Sequence, residues 1–162
     1  MNAGVIAADV KGGGAAPAAP AYTASAAEAL IRAARARSNA AIAGHDLDAI
    51  AREWMPDVTV LSASGRGATG QQAGRDFLSR QFAARPDTVY VRTPHKVSVF
   101  APWNVAAEVG EWIGTWTEPD GALRIGGTYQ AQWRLMDGRW LIQGELFVPL
   151  HCEGSAYCAR HP

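Results

Sequence analysis

The alternation of hydrophobic and polar residues changes once along the chain, near Pro86. Before this point apolar residues recur at helical spacing, and after it they alternate one by one, as is typical of β-strands. The clearest strands are residues 127–136 and 139–148, which are joined by Asp137-Gly138. Because Asp-Gly between two alternating runs is a strong signal for a tight turn, this segment is predicted to be a β-hairpin.

The first helix is predicted over residues 25–43. Ser25-Ala-Ala-Glu28 matches a capping box, in which the two side chains satisfy free amides at the helix start. The apolar stripe of this helix leaves Arg32 and Arg35 on another face. Gly44 is expected to end the helix.

Two further helices and a short strand complete the predicted first half. Asp46 is expected to cap a short helix that buries Trp54 and stops at Pro56. Residues 57–61 then form a short strand, and after a glycine-rich loop a third helix covers residues 71–84.

Four long strands are predicted in the second half, over residues 88–100, 105–117, 122–136 and 139–148. Helices followed by an antiparallel meander define an α+β protein. We therefore expect three N-terminal helices packed on one face of a strongly curved antiparallel sheet.

Composition and charge limit the possible functions. The 162 residues are 48% hydrophobic and 19% charged, which suits a single globular domain. Because 15 basic residues balance 15 acidic ones and no basic stripe is present, nucleic acid is not an expected partner. No apolar run has the length of a membrane span. Residues 1–24 have the Ala, Gly and Pro content of a flexible tail, which is either a native bacterial extension or the remnant of a removed signal peptide.

The final segment, residues 151–162, is predicted to be a tail that carries both cysteines, Cys152 and Cys158. A disulfide between them is the favoured interpretation, and it would favour a periplasmic or secreted protein over a cytoplasmic one. A zinc site with His151 and His161, and two free thiols, are the alternatives, but the ligand spacing of a structural zinc site is missing.

A G-x-G-x-x-G motif occurs at Gly65-Arg-Gly-Ala-Thr-Gly70, between a strand and a helix. A dinucleotide-binding unit would require another strand ending in an acidic residue, yet residues 88–92 end in arginine and no helix follows. The glycines are therefore interpreted as a mobile loop at the mouth of a cavity.

Several local motifs, in their order and spacing, resemble the nuclear transport factor 2-like superfamily. They are Gly44-His-Asp-Leu-Asp48, Pro56-Asp-Val-Thr-Val60, Gly70 before the third helix, and Trp133-Arg-Leu-Met-Asp-Gly-Arg-Trp140. The superfamily includes steroid isomerase, SnoaL-like polyketide cyclases and scytalone dehydratase. The resemblance covers residues 25–150 and implies a cone-shaped, cystatin-like roll. It is weak evidence for function, since one fold hosts many chemistries.

The catalytic groups of the steroid isomerases are missing at the matching positions. The resemblance places their base at Ser62, their tyrosine at Ser38 or Arg37, and their acid at Ala131. Since serine and alanine cannot remove a proton from carbon, this activity is not expected.

The resemblance does indicate which residues face the cavity. Two carboxylates, Glu145 and Glu108, are candidate acid–base groups, because burial among aromatic rings raises a carboxyl pKa. The candidate ligand contacts are Tyr129, Gln143, Trp112, Trp116, Trp133, Phe147, His95 and Trp54. In the alternative interpretation, Glu108 and Glu145 pair with Arg92, Arg134 or a backbone amide and only hold the sheet together.

Two functional hypotheses follow for a cavity that binds a small apolar molecule. One is a lyase, isomerase or hydrolase that needs no metal ion or organic cofactor. The other is a non-catalytic, dimeric ligand-binding or accessory domain. In both, the outer face of the sheet is expected to form a homodimer. Residues assigned to this face are Trp140, Ile142, Val148, Thr128, Gln130, Gln132 and Arg134.

Overall fold

The computed structural model describes residues 22–160. Its helices are α1 (Ala24–Ala43), α2 (Leu47–Arg52) and α3 (Gln71–Ala84). Its strands are β1 (Trp54–Leu61), β2 (Gly67–Thr69), β3 (Val89–Phe100), β4 (Val105–Glu118), β5 (Gly121–Met136) and β6 (Arg139–Glu153). Short 3₁₀ segments cover Ala101–Trp103 and Ala156–Ala159. Most of the predicted N-terminal tail lies outside the described residues.

The three helices pack on one six-stranded sheet with the order β2-β1-β6-β5-β4-β3, which confirms the α+β prediction. The four long strands form the expected antiparallel meander. The sheet is nevertheless mixed, because β1 runs parallel to β6. A pairing between the first and last strands has no local sequence signal, so the expectation of a purely antiparallel sheet was wrong at this point.

Capping side chains begin α1 and α2, although the cap of α1 lies two residues before the predicted position. Thr23, and not Ser25, caps α1, since its Oγ1 accepts a hydrogen bond from the Ala26 amide at 3.1 Å. Asp46 caps α2 as predicted, accepting from the Ala49 amide at 2.8 Å. α2 ends at Arg52, earlier than predicted.

Two segments of the first half differ from their predicted structure. Trp54 begins β1, and Pro56 lies within that strand and does not mark the end of a helix. The glycine-rich segment contains the short strand β2, which pairs with the end of β1. Since β2 has only three residues, it is too short for alternation to reveal.

The Asp137-Gly138 turn forms as predicted between β5 and β6. Both residues have positive φ, 49° and 77°, as a two-residue hairpin turn of type I′ requires. Asp tolerates this conformation and Gly adopts it without steric cost. The turn therefore sets the start of the β5–β6 ladder.

A β-bulge in β6 decides which of its side chains enter the core. Trp133 of β5 pairs with Ile142 of β6, and the preceding residue Gln132 pairs with Gly144. Gln143 therefore has no partner in β5 and is an extra residue in β6. A bulge exchanges the faces of all residues beyond it. Ile142 consequently shares the core face with Glu145, and the prediction that it lies on the outer face was wrong.

Trp140 is likewise buried in the core and is not available to an outer surface. β6 also continues to Glu153, so part of the predicted C-terminal tail belongs to the sheet. None of the helices within residues 22–160 has the length and apolar character that a membrane span requires.

Candidate functional site

A cavity of about 550 Å³ lies between α3, the core face of the sheet and the C-terminal segment. Most of its wall is aromatic or aliphatic, and it includes Trp54, Val60, Phe77, Leu78, Tyr90, Trp112, Trp116, Ile125 and Phe147. Ser62, Ser64, Arg66 and Ala68 contribute to the lining from the glycine-rich segment, which was predicted to lie at the cavity mouth. Two charged residues that are almost wholly buried, Arg92 and Glu145, also face this space.

Gly74 allows α3 to pack directly against one wall. A Cβ atom at this position would lie 2.6 Å from Cζ3 of Trp54, closer than real atoms approach. Trp54 is itself only 5% exposed. Because Gly74 has no side chain, the indole ring of Trp54 can lie directly against α3 at the cavity wall.

A buried arginine joins the two candidate carboxylates behind the cavity. Arg35 on α1 donates from Nε to Oε1 of Glu108 at 2.8 Å and from Nη1 to Oε1 of Glu145 at 2.7 Å. The hydroxyl of Tyr129 donates to the same oxygen of Glu108 at 2.6 Å. The guanidinium carbon lies 5.0 Å from the ring centroid of Trp133. Arg35 thus links α1 to β4 and β6 through a buried charged cluster.

Burial and neighbouring charges have opposite effects on the pKa of Glu145 in this cluster. Burial by itself would raise the pKa of Glu145, but Arg35 and Arg92 outweigh burial and lower it, so this carboxylate is ionised at neutral pH. Burial, followed by the charge of Glu108, raises the pKa of Tyr129, so its hydroxyl keeps its proton. Tyr129 is therefore a permanent donor to Glu108.

Arg92 on β3 is a second buried arginine, 3% exposed, and it faces the cavity directly. Its Nη2 donates to Ser38, while Asn39 holds its backbone with two hydrogen bonds, at 3.1 and 2.9 Å. Its Nε is enclosed without a partner, and within residues 22–160 no carboxylate lies within 4.0 Å of its nitrogen atoms. Burial, and then the charge of Arg35, lower the pKa of Arg92 to about 10.

The predicted site residues separate into three groups. Those at the cavity wall are Glu145, Trp54, Trp112, Trp116 and Phe147. Those buried behind the wall are Glu108, Tyr129 and Trp133, with exposures of 0, 1 and 0%. Two others, Gln143 and His95, point away from the cavity.

The same physical cause displaces Gln143 and His95, because each is the extra residue of a bulge. Gln143 accepts hydrogen bonds at Oε1 from Gln132 at 2.8 Å and Arg134 at 3.2 Å. His95 is exposed, with its Nε2 3.7 Å from a carboxylate oxygen of Glu111. The expectation that these two side chains contact a ligand in the cavity is thus contradicted by their position.

Sequence reasoning missed Arg35 and gave Arg92 the wrong role. Neither Arg92 nor Arg134 forms an ion pair with Glu108 or Glu145, as the alternative interpretation had expected. Arg35 follows Ile31 by four residues and precedes Ser38 by three, so helical spacing does place it on the buried stripe of α1. It was excluded from the stripe because it is charged.

The C-terminal segment covers one side of the cavity. Cys152 and Cys158 form a disulfide that closes a short loop, with a Cα–Cα distance of 5.5 Å. Inside this loop the ring of Tyr157 contacts Trp116 edge-on, with centroids 5.5 Å apart, and the guanidinium of Arg85 lies over both rings. His161 lies outside the described residues, and within 22–160 no three potential ligands are arranged to hold a metal ion.

With this geometry established, comparison with known proteins identifies the family. The sequence model of the SnoaL-like domain family matches residues 23–144. The chain therefore belongs to the SnoaL-like family, and its structural neighbours have the nuclear transport factor 2-like, cystatin-like fold. None of the proteins with curated functions matches the sequence significantly.

Solved structures agree with this fold at low sequence identity. A hexachlorocyclohexane dehydrochlorinase from Novosphingobium barchaimii is 14% identical, with a TM-score of 0.70 over 81% of this chain and 91% of the other. A provisionally named scytalone dehydratase from Novosphingobium aromaticivorans is 14% identical, with a TM-score of 0.72 over 80% and 88%. A protein of unknown function from Mycobacterium tuberculosis is 20% identical, with a TM-score of 0.69 over 78% and 77%. At these identities the similarity establishes the fold alone.

Proposed function

We propose that this domain binds a small, largely apolar molecule in the cavity, with the polar end of the molecule beside Glu145 and Arg92. The observation that carries the proposal is an aromatic cavity of about 550 Å³ with one buried carboxylate and one buried guanidinium at its wall. Ligand sites in proteins typically combine this size and apolar lining with a few fixed polar groups.

We further propose that Glu145 accepts a proton from carbon in the bound molecule, in an elimination or an isomerisation. Its Oε1 is fixed by Arg35, and the hydrogen bonds of the described residues leave its Oε2 for a ligand. Arg92 would stabilise the negative charge that develops on the substrate. Two structural relatives carry the names dehydrochlorinase and, provisionally, dehydratase, which denote eliminations. In a hydrolysis, Glu145 would instead accept a proton from the attacking water molecule.

Glu108 has a positioning role in this scheme. It is fully enclosed, and its Oε1 accepts hydrogen bonds from both Arg35 and Tyr129. Because Glu108 cannot reach the substrate, it cannot exchange a proton with it, and it acts through the orientation of Arg35.

The first experiment is a native mass spectrum of the purified protein, followed by a denatured spectrum of the same sample. Additional small-molecule mass that is lost on denaturation supports the binding role and gives the mass of the ligand. Protein that remains empty, and that also binds no apolar probe, contradicts the proposal.

The catalytic step is tested by Glu145→Gln, which keeps the shape of the side chain and an acceptor for Arg35. The expected result is loss of turnover with ligand binding retained, since an amide is not a base. Glu153→Gln is the matched control, because it makes the same change at an exposed position on the same strand, β6. Full turnover in Glu145→Gln would refute the catalytic role.

A non-catalytic binding domain is the second candidate, and the lowered pKa of Glu145 favours it. A carboxylate stabilised by two arginines is a weak base, whereas proton transfer is most efficient when the pKa is near the working pH. If the ligand released by the wild type and by Glu145→Gln is the same unchanged compound, the protein is a carrier or an accessory domain.

We propose that the chain forms a homodimer through the outer face of the sheet. On this face Val109, Gln130 and Leu146 form one row of paired residues, and Thr128 with Val148 extends the next. The three apolar members are 38–42% exposed. Leu146→Arg is expected to convert the dimer to a monomer in light scattering; a wild-type monomer would refute the proposal.

A further inference from the structure

We propose that the ligand is an organic anion, such as a cyclic or aromatic carboxylate, whose charged group binds Arg92. This inference rests on the proposed function, since it specifies the chemical class of the molecule in the same cavity. It is supported by the charge of the cavity wall, by the fixed position of the Arg92 side chain, and by the absence of an ion-pair partner for Arg92 among residues 22–160.

The charged side chains at the cavity wall are predominantly positive. Among the described residues, one carboxylate lines the cavity, and it is Glu145. The arginines that line it are Arg66, Arg85, Arg92 and Arg160. Glu145 shares Arg35 with Glu108, and Arg85 is paired with Glu118. The remaining positive charge would attract an anion towards the cavity and into it.

Arg92 is the group that an anion would neutralise. A guanidinium has five N–H donors. Here Nη2 donates to Ser38 and Nε is fully enclosed, so Nη1, which makes no hydrogen bond within residues 22–160, is the nitrogen left for a ligand. Burying a charge without a partner is costly, and an ion pair with a ligand would offset that cost. A carboxylate also matches the planar fork of an arginine, with two parallel hydrogen bonds.

The surroundings of Arg92 are rigid enough to define a binding position. Asn39 bonds both backbone groups of Arg92, and Ser38 holds one end of the guanidinium. The apolar wall at Trp112 and Phe147 would contact the uncharged body of the ligand. Arg35, bound to Glu145, reduces the repulsion between that carboxylate and an anionic ligand.

The test uses two probes of the same shape and different charge, 2-naphthoate and 2-naphthamide. Binding is followed at neutral pH by calorimetry and by the fluorescence of the tryptophans at the cavity wall. We expect the wild type to bind the carboxylate about 10- to 100-fold more tightly than the amide, the range that one hydrogen-bonded charge provides.

Two arginine variants locate the anion. Arg92→Gln is expected to remove the preference for naphthoate, because it should weaken the binding of naphthoate far more than the binding of naphthamide. Arg66→Gln, at an exposed residue of the cavity wall, is the matched control and is expected to keep most of the preference. Loss of the preference in Arg66→Gln but not in Arg92→Gln would overturn the assignment to Arg92.

Ser38→Ala provides a milder variant in case Arg92→Gln does not fold. Because it removes only the hydrogen bond that holds Nη2, it should reduce the preference for naphthoate without removing it. An unchanged preference in this variant, with Arg92→Gln unfolded, counts against the assignment.

The comparison of probes in the wild type separates the two proposals. If both probes bind with equal affinity, the proposed function stands and the anionic ligand class is wrong. If neither binds, both proposals fail together. A preference for naphthamide would also refute the inference.

Discussion

Replacement of Arg35 by methionine tests the physical account of the site most directly. Arg35 is 1% exposed and holds Glu108 and Glu145 at 2.8 and 2.7 Å. Its removal leaves two enclosed carboxylates without their cation. Loss of one partner of a buried ion pair typically costs about 3 to 5 kcal/mol, and a whole domain is stable by only about 5 to 15 kcal/mol. We expect Arg35→Met to lose about 4 kcal/mol of unfolding free energy at neutral pH.

The stability that Arg35 provides depends on pH. In the wild type the pKa of Glu145 is lowered, so its contribution is present above the unfolded pKa and is lost as the pH falls through the folded pKa. Without Arg35, the largest opposing charge is lost and burial raises the pKa of Glu145. The destabilisation of Arg35→Met should therefore shrink as the solution is acidified.

A triple variant separates charge from packing. Replacing Glu108 and Glu145 by glutamine in the Arg35→Met background removes both unpaired charges, so most of the lost stability should return. Arg32→Met is the control, because Arg32 lies on the same helix in an exposed pair with Glu28, of a kind worth less than about 1 kcal/mol. Urea denaturation followed by circular dichroism measures each value. If Arg35→Met is fully stable, or if the triple variant is no more stable than the single one, the reasoning is wrong.

Two further predictions concern the cavity walls. Gly74→Ala should lower the unfolding free energy by about 1 kcal/mol, because the clash of the new methyl group with Trp54, about 1 to 3 kcal/mol, exceeds the gain in helix propensity. Thermal melting and the fluorescence of Trp54 measure the effect. A higher melting temperature than that of the wild type would contradict it. Reduction of the Cys152–Cys158 disulfide removes at most about 2 kcal/mol of loop constraint. Its expected effect is local, namely faster hydrogen exchange around Tyr157, and unchanged exchange there would contradict the proposed covering role.

The elements that local chemistry specifies were predictable from the sequence. The Asp46 cap, the Asp137-Gly138 turn and the change from helical to alternating periodicity each depend on residues that are close in the chain. Their order was sufficient to predict the α+β class. The aromatic residues Trp112, Trp116 and Phe147 were also placed at the cavity by alternation and the family resemblance.

The candidate site was only partly predictable, because bulges and buried charges depend on distant partners. One extra residue at Gln143 and one at His95 turn these side chains away from the cavity, and no local pattern marks either bulge. The spacing of Arg35 fits the buried stripe of α1. The cost of burying its charge is offset by Glu108 and Glu145, which lie on strands 73 and 110 residues further along the chain.

The sequence by itself thus determined the class of fold, the hairpin and most of the aromatic wall, since each follows from short-range periodicity or turn geometry. The tertiary structure established that β1 pairs with β6, that Arg35 bridges Glu108 and Glu145, and that Arg92 faces the cavity without an ion pair to any carboxylate of residues 22–160. These features arise where the chain brings together residues far apart in sequence. Their energies depend on burial and on the distances between charges, which only the folded molecule defines.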